Sequence, residues 1–153
     1  MGTGKTYDKG NKPAEQIEKS QESLYFLIVD DIKSVADLFH QVFRRLGCRA
    51  DVAYDCVFAK SILENDGRFG GTIDCMLLDA NMPSGGSSDL LRYVKSEHPN
   101  IYTVMITGDI DSPAALEMVK QNPDFILQKP VSIKDLDLLD RVREHKYKKC
   151  AYD

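Results

Sequence analysis

The chain has 153 residues, 42% hydrophobic and 29% charged, with a net charge of −4, enough for one domain with a real core and too few for two. That balance argues against a nucleic-acid surface, and no apolar run approaches the ~20 residues of a membrane span. Four cysteines (48, 56, 75, 150) and three histidines lack zinc spacing; with no charged-then-apolar signal peptide, a reducing cytoplasm is the expected compartment.

Residues 1–23 are polar and read as a flexible tail. The string GTGKT at 2–6 resembles the end of a phosphate loop, but it lacks the glycine five residues before Gly4 and the preceding strand. From Leu24 short β-rich runs recur at 24–29 (LYFLIV), 50–54 (ADVAY), 73–78 (IDCMLL), 102–106 (YTVMI) and 125–128 (FILQ). Between them the periodicity is helical. Over 33–46, Val35, Phe39, Val42, Phe43 and Leu46 share one face, and Gly47 supplies the stop. Residues 55–65 open on Asp55 as an N-cap and carry Phe58, Ile62 and Leu63. Residues 88–97 carry Leu90, Leu91 and Val94. Residues 112–121 begin Ser-Pro, a cap and first-turn pair. Over 132–143, Ile133, Leu136, Leu139 and Val142 make a stripe.

Five strands alternating with five helices imply right-handed parallel βαβ units with helices on both faces. The fold class is α/β: a doubly wound, flavodoxin-like (βα)5 sheet of order 2-1-3-4-5. It spans 24–146, with 147–153 left as a basic C-terminal tail.

In such a sheet, ligands bind beyond the carboxyl ends of the strands, near the switch point. There the first run ends in Asp30 and Asp31, the third in Asp79, the fourth in Thr107, Gly108 and Asp109, and the fifth in Lys129. Taken alone, Asp30 and Asp31 are equally well read as caps for the following helix. With strands one and three adjacent, however, the three carboxylates converge and repel by several kcal/mol even at an effective dielectric of about 20. Lys129 supplies one counter-charge, and Mg²⁺ held by oxygens supplies the rest. A carboxylate between a divalent cation and an ammonium group is set up to attack phosphorus.

The ordered set of DD after the first strand, Asp79-Ala80-Asn81-Met82-Pro83 after the third, Thr107-Gly108 after the fourth and Lys129-Pro130 after the fifth resembles the receiver domain of two-component response regulators. The acceptor loop is most similar to that of single-domain chemotaxis regulators. The resemblance implies that Asp79 is the phosphoacceptor. It implies Mg²⁺ on Asp31, Asp79 and the Asn81 backbone carbonyl, with Asp30 assisting through water. Thr107 becomes the switch hydroxyl, Lys129 the partner of the phosphoryl group, and Lys129–Pro130 a cis bond. The implied donor is a sensor histidine kinase or phosphotransfer protein in a phosphorelay, the response a rearranged 108–131 face that binds a downstream output partner or a second copy in a phosphorylation-dependent dimer. Neither nucleic acid nor membrane is an expected direct partner.

Two positions depart from the family pattern. The aromatic usual three residues before the lysine is Ile126, and Phe125 at strand period two faces the other side. The glycine usual eight residues after the acceptor is Ser87, preceded by Gly85 and Gly86, which implies a local loop shift. The expected function is a signalling switch whose only catalysis is intrinsic phosphotransfer and autodephosphorylation. The alternatives are a degenerate receiver that binds partners without phosphate, and a phosphohydrolase of the haloacid-dehalogenase type. Against the latter, Asn81 stands where a general acid is needed.

Overall fold

The computed structural model describes residues 23–65, 70–132 and 137–152. The polar tail, its GTGKT string, and Ile133 and Leu136 of the last expected stripe lie outside them. In chain order the elements are β1 (Tyr25–Val29), α1 (Lys33–Arg45), β2 (Arg49–Ala53), α2 (Cys56–Glu64), β3 (Cys75–Asp79), α3 (Ser87–Glu97), β4 (Tyr102–Thr107), α4 (Pro113–Val119), β5 (Phe125–Gln128) and α5 (Leu138–Tyr152). The five strands form one sheet in the order β2-β1-β3-β4-β5, every pair parallel. Among the described residues no helix is long and apolar enough to cross a membrane, and all four cysteines are free thiols.

Strand alternation divides the core into two layers. Tyr25, Leu27 and Val29 of β1 join Met76, Leu78 and Met105 in one cluster, covered by Ile62 and Leu63 of α2, Leu90, Leu91 and Val94 of α3, and Met118 of α4. Phe26 and Ile28 join Leu77, Val104 and Leu127 in the other, covered by Phe43 of α1 and by Leu138 and Val142 of α5. Phe26 and Phe43 stack with ring centroids 4.1 Å apart. β1, β3 and β4 are buried along their whole length, which is why, apart from Thr103 and the terminal Asp79 and Thr107, their residues are apolar.

Local signals set the helix ends. Asp55 Oδ1 accepts from the Phe58 amide at 2.7 Å and caps α2. Ser112 Oγ accepts from the Ala115 amide at 3.2 Å, with Pro113 in the first turn of α4. Gly47, at φ +82°, follows α1 in the left-handed region that its sequence position suggests. The last helix departs from the sequence pattern. Its regular part begins at Leu138 and runs through the expected basic tail to Tyr152.

Candidate functional site

Three ladder bonds beyond the regular strands carry the polar residues to one place. The Asp30 amide donates to the Ala53 carbonyl at 3.1 Å, Ala80 to Ile106 at 2.8 Å, and Lys129 to Thr107 at 2.8 Å. The chain therefore leaves β1, β3 and β5 still in register with its neighbours. Asp30, Asp31 and Asp79 meet there, with one carboxylate oxygen of each lying within 4.8 Å of the others. Asp30 and Asp79 are buried, and Asp31 is half-buried. Lys129 Nζ reaches across from the end of β5, 3.2 Å from Asp30 Oδ2 and 3.5 Å from Asp79 Oδ2.

The capping alternative for the two N-terminal aspartates does not describe this arrangement. The N-cap of α1 is Ile32, and no side chain caps it. Asp30 Oδ1 instead accepts from the Ile32 amide at 2.9 Å, which turns the loop and leaves Oδ2 for Lys129. Burial pushes the Asp79 carboxyl above its ordinary range and the neighbouring Asp30 adds to the rise, while the Asn81 amide and Lys129 oppose it. At an effective dielectric of about 20, each carboxylate pair within 4.8 Å repels by about 3.5 kcal/mol or more, and each lysine contact returns about 5 kcal/mol. Two lysine contacts therefore roughly balance three repulsions, yet the cluster keeps a formal charge of −2.

That residual charge and the all-oxygen donor set suit a hard divalent cation. Mg²⁺ takes six oxygens at about 2.0–2.1 Å, so its ligands stand about 2.9 to 4.2 Å from one another. One oxygen of each carboxylate lies within 4.8 Å of the others, close to that spacing.

A second layer surrounds the acceptor. The Asn81 amide donates to Asp79 Oδ1 at 3.1 Å, and the Asn81 side chain donates to Thr107 Oγ1 at 2.8 Å. Thr107 is fully buried; its hydroxyl donates to the Asp109 carbonyl at 2.8 Å and accepts from the Asp109 amide at 3.0 Å. The Lys129–Pro130 bond is cis. Ile126 packs on the cluster beneath α3 and α4, whereas Phe125 packs on the opposite one, with the Arg141 guanidinium 4.4 Å above its ring. Phe125 thus does not substitute for the missing aromatic on the Thr107 side.

Two contributors were invisible to sequence reasoning. Ser87, noted there only as a departure, is buried, and its hydroxyl donates to the Asp79 backbone carbonyl at 2.7 Å. Gly85 and Gly86 before it, at φ +74° and +89°, make the left-handed turns that start α3 beneath the acceptor. Ser112 was read as a helix cap, and its hydroxyl also donates to Asn81 Oδ1 at 2.9 Å. A Ser-Pro pair announces the first role and carries no sign of the second.

The family model for the response regulator receiver domain matches residues 26–143, and the chain belongs to that family. The response regulator SaeR of Staphylococcus aureus is 25% identical over 126 residues, covering 79% of this chain and 53% of SaeR. The chain thus spans about half the length of the curated relatives it matches. Among solved structures, a CheY-like receiver domain protein of Methanospirillum hungatei superposes with a TM-score of 0.72 at 21% identity, over 83% of this chain and 99% of that one. The chemotaxis protein CheY4 of Vibrio cholerae superposes with a TM-score of 0.67 at 22% identity, over 78% and 98%. At these identities the structural likeness speaks for the fold.

Receiver domains of this family are signalling switches of two-component systems, not classical enzymes.

Proposed function

We propose that the chain is a phosphorylatable switch in which Asp79 accepts a phosphoryl group from a histidine kinase or phosphotransfer protein. One observation carries this reading: Asp79, at the carboxyl end of β3, lies beside Asp30 and Asp31 with Lys129 Nζ 3.5 Å from its outer oxygen. Asp31, Asp79 and the Asn81 backbone carbonyl would hold Mg²⁺, with Asp30 acting through water and through Lys129. When bound, the divalent ion offsets the charge of the phosphoryl oxygens.

In the transfer, a carboxylate oxygen of Asp79 attacks phosphorus and the P–N bond of the donor phosphohistidine breaks. The imidazole leaves with the electron pair and takes up a proton. Burial raises the Asp79 carboxyl's pKa, and the Asn81 amide and Lys129 oppose that rise. Lys129 lies within reach of an incoming anion, and its second contact, with Asp30, keeps it in place. The Thr107 hydroxyl then turns to a phosphoryl oxygen and leaves the Asp109 carbonyl.

The output belongs to the 108–131 face. Ile110, Leu116 and Val119 stand exposed there, the apolar material a partner or a second copy would cover. Shifting a two-state domain from 1:99 to 99:1 takes about 5.5 kcal/mol of differential stabilisation, to which a dianion held by Lys129, Thr107 and a divalent ion contributes.

The test is the intact mass of the protein after incubation with a small phosphodonor and Mg²⁺. A single phosphoryl adduct is expected, lost in Asp79→Asn and without Mg²⁺. A folded protein that takes no adduct from several donors would instead be a degenerate receiver, an interaction module indifferent to phosphate.

A further inference from the structure

Thr107 cannot be both where it is and where a phosphoryl group needs it. Its hydroxyl hydrogen is committed to the Asp109 carbonyl, and its oxygen accepts from the Asn81 side chain and the Asp109 amide. The Asn81 amide group is itself held at its other end by Ser112 Oγ, 2.9 Å from Asn81 Oδ1. Ser112 is also the N-cap of α4, accepting from the Ala115 amide. A continuous chain of hydrogen bonds thus runs from the acceptor loop through Asn81 to Thr107 in one direction and to α4 in the other. Ile126, which packs on that side of β5, has no polar atom with which to join it.

We propose that Ser112 is a positioning residue: through Asn81 it holds Thr107 on the Asp109 carbonyl and ties the start of α4 to the state of Asp79. The inference rests on the reading of Asp79 as phosphoacceptor. It makes a directional statement. A bond that helps to hold Thr107 on the Asp109 carbonyl opposes its turning to a phosphoryl group, so removing it favours the phosphorylated arrangement by the equilibrium factor of one neutral hydrogen bond, about three- to fivefold at this partly exposed position. It also severs the connection by which α4 learns that Asp79 is occupied.

The experiment is a titration of the ¹⁵N-labelled protein with beryllium fluoride at fixed Mg²⁺, the fluoride standing in for a phosphoryl group on a carboxylate. The amide signals of Gly108, next to the threonine, and Ala115, in the first turn of α4, are followed by NMR. Ser112→Gly removes the hydroxyl while costing the helix cap only a few tenths of a kcal/mol, and Ser112→Thr keeps the hydroxyl. In the wild type both amides move together. In Ser112→Gly the half-saturating concentration falls three- to fivefold and the Ala115 signal ceases to track Gly108; Ser112→Thr restores both. A merely structural cap would leave the midpoint unmoved. Asn81→Ala, which keeps the backbone carbonyl, removes the bond to Ser112 together with the one to Thr107: it lowers the midpoint at least as far as Ser112→Gly, and adding Ser112→Gly to it lowers the midpoint no further. Unchanged or weaker binding in Ser112→Gly or Asn81→Ala, with Ala115 still tracking, overturns the inference while the acceptor reading stands. A wild type that ignores beryllium fluoride and Mg²⁺ overturns the acceptor reading, and the inference with it.

Discussion

Replacing Lys129 by methionine keeps most of the aliphatic stem and removes the charge that Asp30 and Asp79 share. The side chains of the two aspartates are 3% and 4% exposed, that of the lysine 25%. At an effective dielectric of about 20, contacts of 3.2 and 3.5 Å represent about 10 kcal/mol of gross attraction. Most of that is returned: the ammonium no longer has to be desolvated, and water and ions move into its place. Breaking a buried pair by removing one partner costs about 3–5 kcal/mol, because the surviving charge stays buried. A lysine one-quarter exposed belongs at or just below that range, so we expect a loss of about 2–3 kcal/mol at neutral pH without divalent ions. In a domain of this size that lowers Tm by roughly 10 °C.

The assay is urea unfolding followed by circular dichroism, with the slope m checked against the wild type. Two further arms isolate the electrostatic cause. Mg²⁺ should stabilise Lys129→Met more than it does the wild type, since it restores part of the missing positive charge. Adding Asp79→Asn to Lys129→Met should recover part of the loss by removing one of the repelling carboxylates. A Lys129→Met protein within ~0.5 kcal/mol of the wild type at neutral pH would refute the charge accounting. Equal losses in the single and double variants would assign the effect to packing of the stem.

Two further predictions follow from the same geometry. Asp79→Asn should stabilise the metal-free protein at neutral pH: the folded-state pKa is raised above its ordinary 3.8 by burial, so ionising Asp79 costs stability, a cost absent below the unfolded value and complete above the folded one. The gain over the wild type should therefore grow as pH rises through that window and shrink when Mg²⁺ is added; a pH-independent difference in urea midpoint would contradict this. Ser87→Ala should cost about 1–1.5 kcal/mol, because the Asp79 carbonyl loses its 2.7 Å donor in a buried place, and a midpoint unchanged within error would show that water replaces the hydroxyl.

How much of this could be read from the sequence depends on the range of the interactions involved. The strands and their order were legible because a strand buried on both faces is almost continuously apolar, and polar residues at its carboxyl end then stand out. Asp30, Asp31, Asp79 and Lys129 were visible for that reason, although they lie as far as 99 positions apart. The last helix was harder. Its apolar stripe fades after Val142, and the arginine and lysines that follow look like solvated tail. The structure holds this stretch by contacts that no local pattern announces. His145 Nε2 donates to the Asn100 carbonyl at 3.1 Å, its ring lies 5.2 Å from that of Tyr102, and Lys146 pairs with Asp74 at 3.2 Å. The i,i+4 pair of Glu144 with Lys148 adds support along the helix surface. Ser112 and Ser87 were illegible for a different reason. A hydroxyl is one of the commonest side-chain groups, and its local role as a cap or a loop residue already accounts for its presence. Only the placement of Asn81 Oδ1 and of the Asp79 carbonyl beside them gives those two hydroxyls a second task. Such placement is a product of the whole fold, so it is in contacts of this kind that a receiver domain can differ from its relatives while keeping every residue of the ordered motif.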